Sequence, residues 1–396
     1  MMITKKKMIT PLMLFGLSSL MMGMYAGLYD PSFNNYLAHV HNVSEVARGG
    51  LEFPRELPGF LVVLIFTALI FLADTRIAAI SALLVSLALW GQGFLAPNMA
   101  AVVVWMLIWS TGAHLFMAVS PTIALRLSTS GEEGRRLGQL GSLESLGTLL
   151  GIVIVYWGAS RLHFSFGTIF AISGTCALIA CIGLFLIKPQ PIAKPSRHLV
   201  IKKRYTLFYL LNIVFGARKQ IFMTFAPWVL IKVYQADVAT FALLGFIGTV
   251  LNMILRPWLG KAIDSLGERT IIILESCTLI IICLLYAFAG KWFAAGTAVI
   301  IIMACYITDQ LLFSVRMART TYLNKIAETP DDLGATLSMG LSMDHAVSML
   351  IPMGGGVLWV NYGYISVFLV AAFLAIVNLW LATFIPKPEK ENSLLV

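Results

Sequence analysis

The stretch Leu207–Ile231, LFYLLNIVFGARKQIFMTFAPWVLI, decides how the chain is read. At about 1.5 Å per residue, a helix of this length crosses a bilayer. Yet Arg218 and Lys219 stand side by side near its centre. One cation at that depth costs at least about 2.5–3.5 kcal/mol on insertion scales, and two neighbours cost more. A chain carries such residues where they line a water-filled cavity or meet an anion, so the rest of the sequence is expected to build that cavity.

Of 396 residues, 59% are hydrophobic and 12% charged, against roughly 25% charged in an ordinary soluble chain. Apolar runs of bilayer length recur throughout, without the alternating dyads of a membrane β-barrel. The expected class is an all-α integral membrane protein. Its net charge of +9 falls mostly in the short gaps between apolar runs, where it sets topology rather than binding nucleic acid. The five cysteines (Cys176, Cys181, Cys277, Cys283 and Cys305) lie inside apolar runs without metal-ligand spacing and read as buried small hydrophobes.

Twelve spans are expected, at about 11–38, 45–73, 77–95, 99–120, 137–157, 164–187, 205–233, 238–261, 270–289, 294–315, 333–358 and 362–385. The run behind Lys5-Lys6-Lys7 is too long for a signal-peptide core and reads as an uncleaved first span. Charges at Arg48, Glu52, Arg55 and Glu56 would delay the second span, but Ser44-Glu45 is a helix N-cap signal and places its start there. Twenty Lys and Arg then fall on one side and five on the other, with Arg218, Lys219 and Arg256 inside the membrane. The asymmetry places both termini in the cytoplasm of a multi-pass protein of the cell (inner) membrane.

The expected domains are an N-terminal six-helix bundle over 1–187, a basic, proline-rich cytoplasmic linker over 188–204, and a C-terminal six-helix bundle over 205–396. Three weak matches relate the halves at near-constant offsets: Asp30-Pro31 with Ala226-Pro227, Asp74 with Asp264, and Ser142-Leu143-Glu144 with Ser342-Met343-Asp344. They suggest two parallel repeats.

Between spans eight and nine the chain reads Gly260-Lys-Ala-Ile-Asp264-Ser-Leu-Gly267-Glu-Arg269. This resembles the G-x-x-x-D-x-x-G-x-R loop motif of the major facilitator superfamily, as do twelve spans with a basic central loop and internal termini. Gly267 permits a left-handed turn, Asp264 can cap helix ends, and Arg269 can pair with an acid or a helix C-terminus. The equivalent site after span two, Ile70-Phe-Leu-Ala-Asp74-Thr-Arg76, lacks both glycines. The resemblance implies two pseudo-symmetric bundles that alternate access to a midplane site, with span seven beside the central cavity.

Within that frame Arg218 and Lys219 are the first candidates for substrate binding, recognising a carboxylate, phosphate or sulfonate. Adjacent helical positions point about 100° apart, so one is expected to face the cavity and the other a neighbouring helix. The competing reading is an ion pair with Asp30, Glu56 or Asp309. Tyr25, Tyr29, His114 and Asn252 are further lining candidates, although for any one of them packing is favoured over binding. Asp344 and His345 form a plausible proton site, with Asp309 as a second. Glu144 and Arg256 are expected to bridge the bundles as an inner gate, with Asp264 and Arg269 in the gating loop. Asp30, Arg55 and Glu56 belong to an outer cluster in which Arg48, Glu52 and Arg55 share a helix stripe, read as either a solvated rim or an outer gate.

No nucleotide-binding or hydrolase signature is present, so no enzyme activity, cofactor or metal is expected. The reading is a secondary transporter of a small anionic solute, coupled to a proton or other ion and functional as a monomer. Efflux of hydrophobic or amphipathic compounds is the alternative within transport, and a non-transporting membrane sensor the alternative outside it.

Overall fold

The computed structural model describes residues 10–69, 71–128, 133–189, 202–328 and 330–386. Lys5 to Lys7, Ile70, most of the basic connector and Lys387 and Lys390 lie outside them. The longer described elements are all helices: α1 (Pro11–His39), α2 (Glu45–Gly50), α3 (Glu52–Phe60), α4 (Val62–Ala68), α5 (Asp74–Phe94), α6 (Met99–Arg126), α7 (Glu133–Ser160), α8 (Phe166–Leu186), α9 (Thr206–Lys232), α10 (Val238–Trp292), α11 (Ala295–Leu312), α12 (Arg316–Ile326), α13 (Pro330–Tyr362) and α14 (Tyr364–Ala382).

Nine helices among the described residues are long and apolar enough to cross a membrane. This is a multi-pass membrane protein. Those nine coincide with nine of the expected spans, and the remaining three correspond to the run α2–α4, to α9 and to α13. These three carry the polar groups noted above: Arg48, Glu52, Arg55 and Glu56 on the first, Arg218 and Lys219 on the second, Asp344 and His345 on the third. The Ser44 hydroxyl accepts from Ala47 N–H at 3.3 Å and caps α2, as the sequence predicts. Pro54 and Pro58 each lack the N–H that would donate back to the preceding turn, yet the path stays helical. Arg55 N–H still donates to Leu51 O at 3.2 Å and Leu61 N–H to Leu57 O at 3.0 Å.

The described chain forms two compact units. The first draws on Met1–Asn42, Leu57–Pro195 and Asp237–Phe246, and the second on Val43–Glu56, Ser196–Ala236 and Ile247–Val396. In the first unit α1 and α7 meet backbone to backbone. A methyl group at Gly23 would lie 1.9 Å from Glu144 O, and one at Gly147 would lie 1.9 Å from Leu20 O. With Gly27 and Gly151 these make a G-x-x-x-G stripe on each helix, the arrangement that lets membrane helices pack closely. Ser18 donates to Ala180 O at 3.1 Å and Ser173 to Tyr25 O at 2.9 Å, tying α1 to α8. Arg76 donates to Phe185 O at the end of α8, and Arg126 pairs with Asp74 at 3.0 Å.

In the second unit α9 is buried around most of its circumference. Gly216 lets it approach α13, because a methyl group there would lie 2.3 Å from the Asp344 Oδ1. Gly267 breaks α10 with φ 79° and ψ 157°, a backbone open to glycine and strained for other residues. Arg269 donates to Ile385 O at 3.2 Å, just past α14. Arg76 and Arg269 thus close the ends of equivalent helices, although only the second loop has the glycines. Asp264 is exposed.

Span ten continues beyond its expected end at 315. A 3-10 turn at Phe313–Val315 joins α11 to α12, which runs to Ile326. Arg319, counted from sequence among the surface cations, is consequently buried at 1% exposure. Cys176, Cys283 and Cys305 are buried as expected, whereas Cys277 is exposed.

Candidate functional site

Two networks of buried charge converge on the middle of α9, and both lie within the second unit. Arg218 and Lys219 leave the helix in different directions, as their 100° offset requires.

Arg218, 2% exposed, turns toward α10 and α11. Its Nη1 donates to Asp309 Oδ1, and its Nη2 stands 3.9 Å from Glu275 Oε1. The latter spacing is a charge contact rather than a hydrogen bond. The other Glu275 oxygen accepts from Arg319 Nη2 at 2.8 Å. Arg319 also reaches Asn378 Oδ1 at 3.5 Å, and the Asn378 amide donates to Ser276 Oγ at 2.8 Å. The Phe215 ring lies between the guanidinium groups, 4.5 Å from that of Arg319 and 5.5 Å from that of Arg218. Two cations and two carboxylates balance here. Every member is buried, so the group has the character of a structural ion cluster, in which removing one partner strands a charge.

Lys219 turns toward α13. Its Nζ lies 2.8 Å from both oxygens of Asp344, and Ser348 adds a hydrogen bond to Oδ1 at 3.3 Å. The next residue, His345, places Nδ1 2.8 Å from Glu56 Oε2. Arg55 pairs with Glu56 at 3.5 Å and with Glu52 at 3.1 Å. Glu52 also accepts from Arg48 and from Gln220, the residue that follows Lys219 on α9. Among the contacts described, Arg48, Arg55 and Lys219 balance Glu52, Glu56 and Asp344 when His345 is neutral. A proton on His345, or the loss of one carboxylate charge, leaves the network at +1. The carboxylates are 0–7% exposed, whereas Arg55 and Lys219 are 15% and 16% exposed. The charge that can be reached from outside the network is cationic.

This arrangement corrects two expectations. Arg48 and Glu52 are 1% and 0% exposed, so the stripe on the second span is not a solvated rim. Arg218 is an ion-pair partner of Asp309, the competing reading for that residue. Asp309, Asp344 and His345 are each engaged by a group on another helix.

The other candidates make contacts of their own. Tyr29 packs against Trp109 and Phe170 and donates to Gln92 Oε1 at 3.1 Å. Tyr25 is buried in the same unit. His114 Nδ1 lies 2.9 Å from Ser110 O. In the second unit Asn252 Oδ1 accepts from Ser314 at 2.6 Å. Asp30, Glu144 and Arg256 are exposed, the first two in the first unit and Arg256 in the second.

Sequence reading missed Glu275, Gln220 and Arg319. Glu275 was detectable as the single carboxylate in ILESCTLIIICLL, since an ionisable group at such depth has a partner. Arg319 was hidden because nothing local marks the 3-10 turn that carries the helix past 315.

The sequence model of the Major Facilitator Superfamily matches residues 57–327. Among solved structures, a mutant form of the nucleoside transporter NupG superposes with a TM-score of 0.80 at 13% identity, covering 96% of this chain and 100% of that one. A D-xylose-proton symporter gives 0.69 at 16% identity, covering 95% and 97%. A POT family transporter in complex with 5-aminolevulinic acid gives 0.70 at 11% identity, covering 93% and 94%. At these identities the likeness concerns the fold. No curated protein sequence gives a significant match.

Proposed function

Because the chain belongs to the major facilitator superfamily, we propose that it is a secondary active transporter that moves a small anionic solute by alternating access and couples that movement to protons. The observation that carries this reading is the charge balance around Lys219. The network is neutral with neutral His345, and its accessible members are the cations Lys219 and Arg55. A proton entering at His345, Glu56 or Asp344 raises the network to +1, and an anion at Lys219 and Arg55 restores neutrality. Each ligand therefore favours the other, which is the linkage that symport requires. Arg218 has a supporting role in this scheme, holding α9 to α10 and α11 through Asp309 and Glu275.

The proposal extends to topology and gating. The protein resides in the inner membrane as a monomer with both termini cytoplasmic, and two six-helix bundles rock about the site. Glu144 and Arg256 pair when the cytoplasmic side is closed, while Asp30 with Arg55 and Glu56 serves the outer side.

The test is a stabilisation screen on purified protein in neutral detergent. Small carboxylates, phosphates and sulfonates are compared with nucleosides, pentoses and hydrophobic amines. A ligand at 100 times its dissociation constant stabilises the native state by about 2.7 kcal/mol. One anion class is expected to raise the melting temperature of the wild type, with the response lost in Lys219→Gln. Stabilisation by uncharged or hydrophobic compounds alone rejects the anion reading, and hydrophobic compounds alone would point to efflux.

A further inference from the structure

The break in the tenth membrane helix creates a second concentration of cationic groups, which the Lys219 network does not use. Two cavities of the second unit, of about 400 and 520 Å³, share Arg316 and Thr320 as lining residues. The smaller is also lined by Asn212 and Arg319, and the larger by Arg256 and Ser314. Three arginines thus line adjoining space, and the described lining residues include no carboxylate.

The polar neighbours are already committed in ways that leave the arginines available. The Asn212 amide donates to Phe208 O at 2.8 Å, Ser314 donates to Asn252, and the Thr320 hydroxyl to Arg316 O at 3.4 Å. Arg319 is 1% exposed, and its Nε and Nη1 have no hydrogen-bond partner among the described residues. Only its Nη2 is used, by Glu275 and Asn378. Arg316 and Arg256 are exposed at the mouth of the same space. A buried guanidinium with unused donors, two accessible guanidinium groups and a cavity are the components of an anion site. Clustered arginines suit a phosphate in particular, whose oxygens accept several charge-assisted bonds at once.

We propose that the cavities at the α11–α12 break bind a phosphate-bearing ligand, held by Arg316 and Arg256 at the entrance and Arg319 within. The ligand is either a free phosphate compound or the headgroup of an anionic phospholipid. The proposal goes beyond the transport reading and shares with it only Arg256, there assigned to the inner gate; no residue of the Lys219 network takes part.

The experiment measures binding of radiolabelled pyrophosphate to the purified full-length protein at fixed ionic strength. In parallel, native mass spectrometry compares retention of phosphatidylglycerol with that of phosphatidylcholine. Binding in either arm is expected to weaken at least tenfold in Arg316→Gln and in Arg256→Gln, to persist in Arg316→Lys, and to be unchanged in Lys219→Gln. Pyrophosphate binding with this pattern identifies a soluble ligand. Selective retention of phosphatidylglycerol with this pattern, without pyrophosphate binding, identifies a lipid headgroup. Absence of both, or binding that survives Arg316→Gln and Arg256→Gln, overturns the proposal. Failure of the transport reading would show separately, as a solute response indifferent to Lys219→Gln.

Discussion

Arg218 and Lys219 are adjacent in sequence but meet different carboxylates on different helices, Asp309 on α11 and Asp344 on α13. Burial separates their roles. At 2% exposure Arg218 is closed off by Asp309, Glu275 and three aromatic rings, so its partner's loss leaves an uncompensated charge in a low-dielectric setting. Asp309→Asn is expected to destabilise the protein by about 3–5 kcal/mol. Pairing it with Arg218→Met should recover much of that loss, measured by thermal unfolding in detergent. An equal or larger loss in the double variant would mean that the pair is not the energetic unit. Sequence alone showed that two cations stood in a membrane span and that their directions diverge. It did not show which carboxylate each would meet, because partners 91 and 125 residues away are chosen by helix packing.

At the scale of elements, small residues decide which helices approach closely enough to form a site. Gly23 and Gly27 on α1 interlock with Gly147 and Gly151 on α7, and Gly216 brings α9 against Asp344. Replacing Gly147 by Leu forces the side chain into the backbone around Leu20, where no flexible neighbour can yield. Folded yield of Gly147→Leu should collapse, whereas Gly138→Leu, at a position with no atom within 4 Å of an added methyl, should behave as the wild type. A comparable yield from both variants, read by size-exclusion chromatography, would exclude backbone contact between α1 and α7. The two G-x-x-x-G stripes were legible in the sequence as spacing but not as partners. The Ser44 start of α2 and the Gly267 turn were fully legible, because each rests on a local rule of capping or backbone sterics. The 3-10 turn between α11 and α12 was not, and it hid the buried Arg319.

At the scale of the molecule, nine apolar helices among the described residues and the family match make a multi-pass membrane transporter fold. The three spans that fall short of them are the ones bearing the Lys219 network, so the lapse in apolarity itself marked where that polar group would be. Glu275, Asp309 and Arg319, by contrast, sit on helices that count among the nine. Proton coupling is the central claim about how this site works, and of His345, Glu56 and Asp344 we propose Asp344 as the coupling group, because it contacts the accessible cation Lys219. The most direct measurement is proton flux into proteoliposomes that enclose a pH-sensitive dye, following addition of the solute identified by the stabilisation screen. The wild type should acidify the lumen as solute enters, while Asp344→Asn should lose that proton flux yet still exchange labelled solute across equal concentrations. Solute entry without acidification in the wild type, or undiminished acidification in Asp344→Asn, would contradict the account.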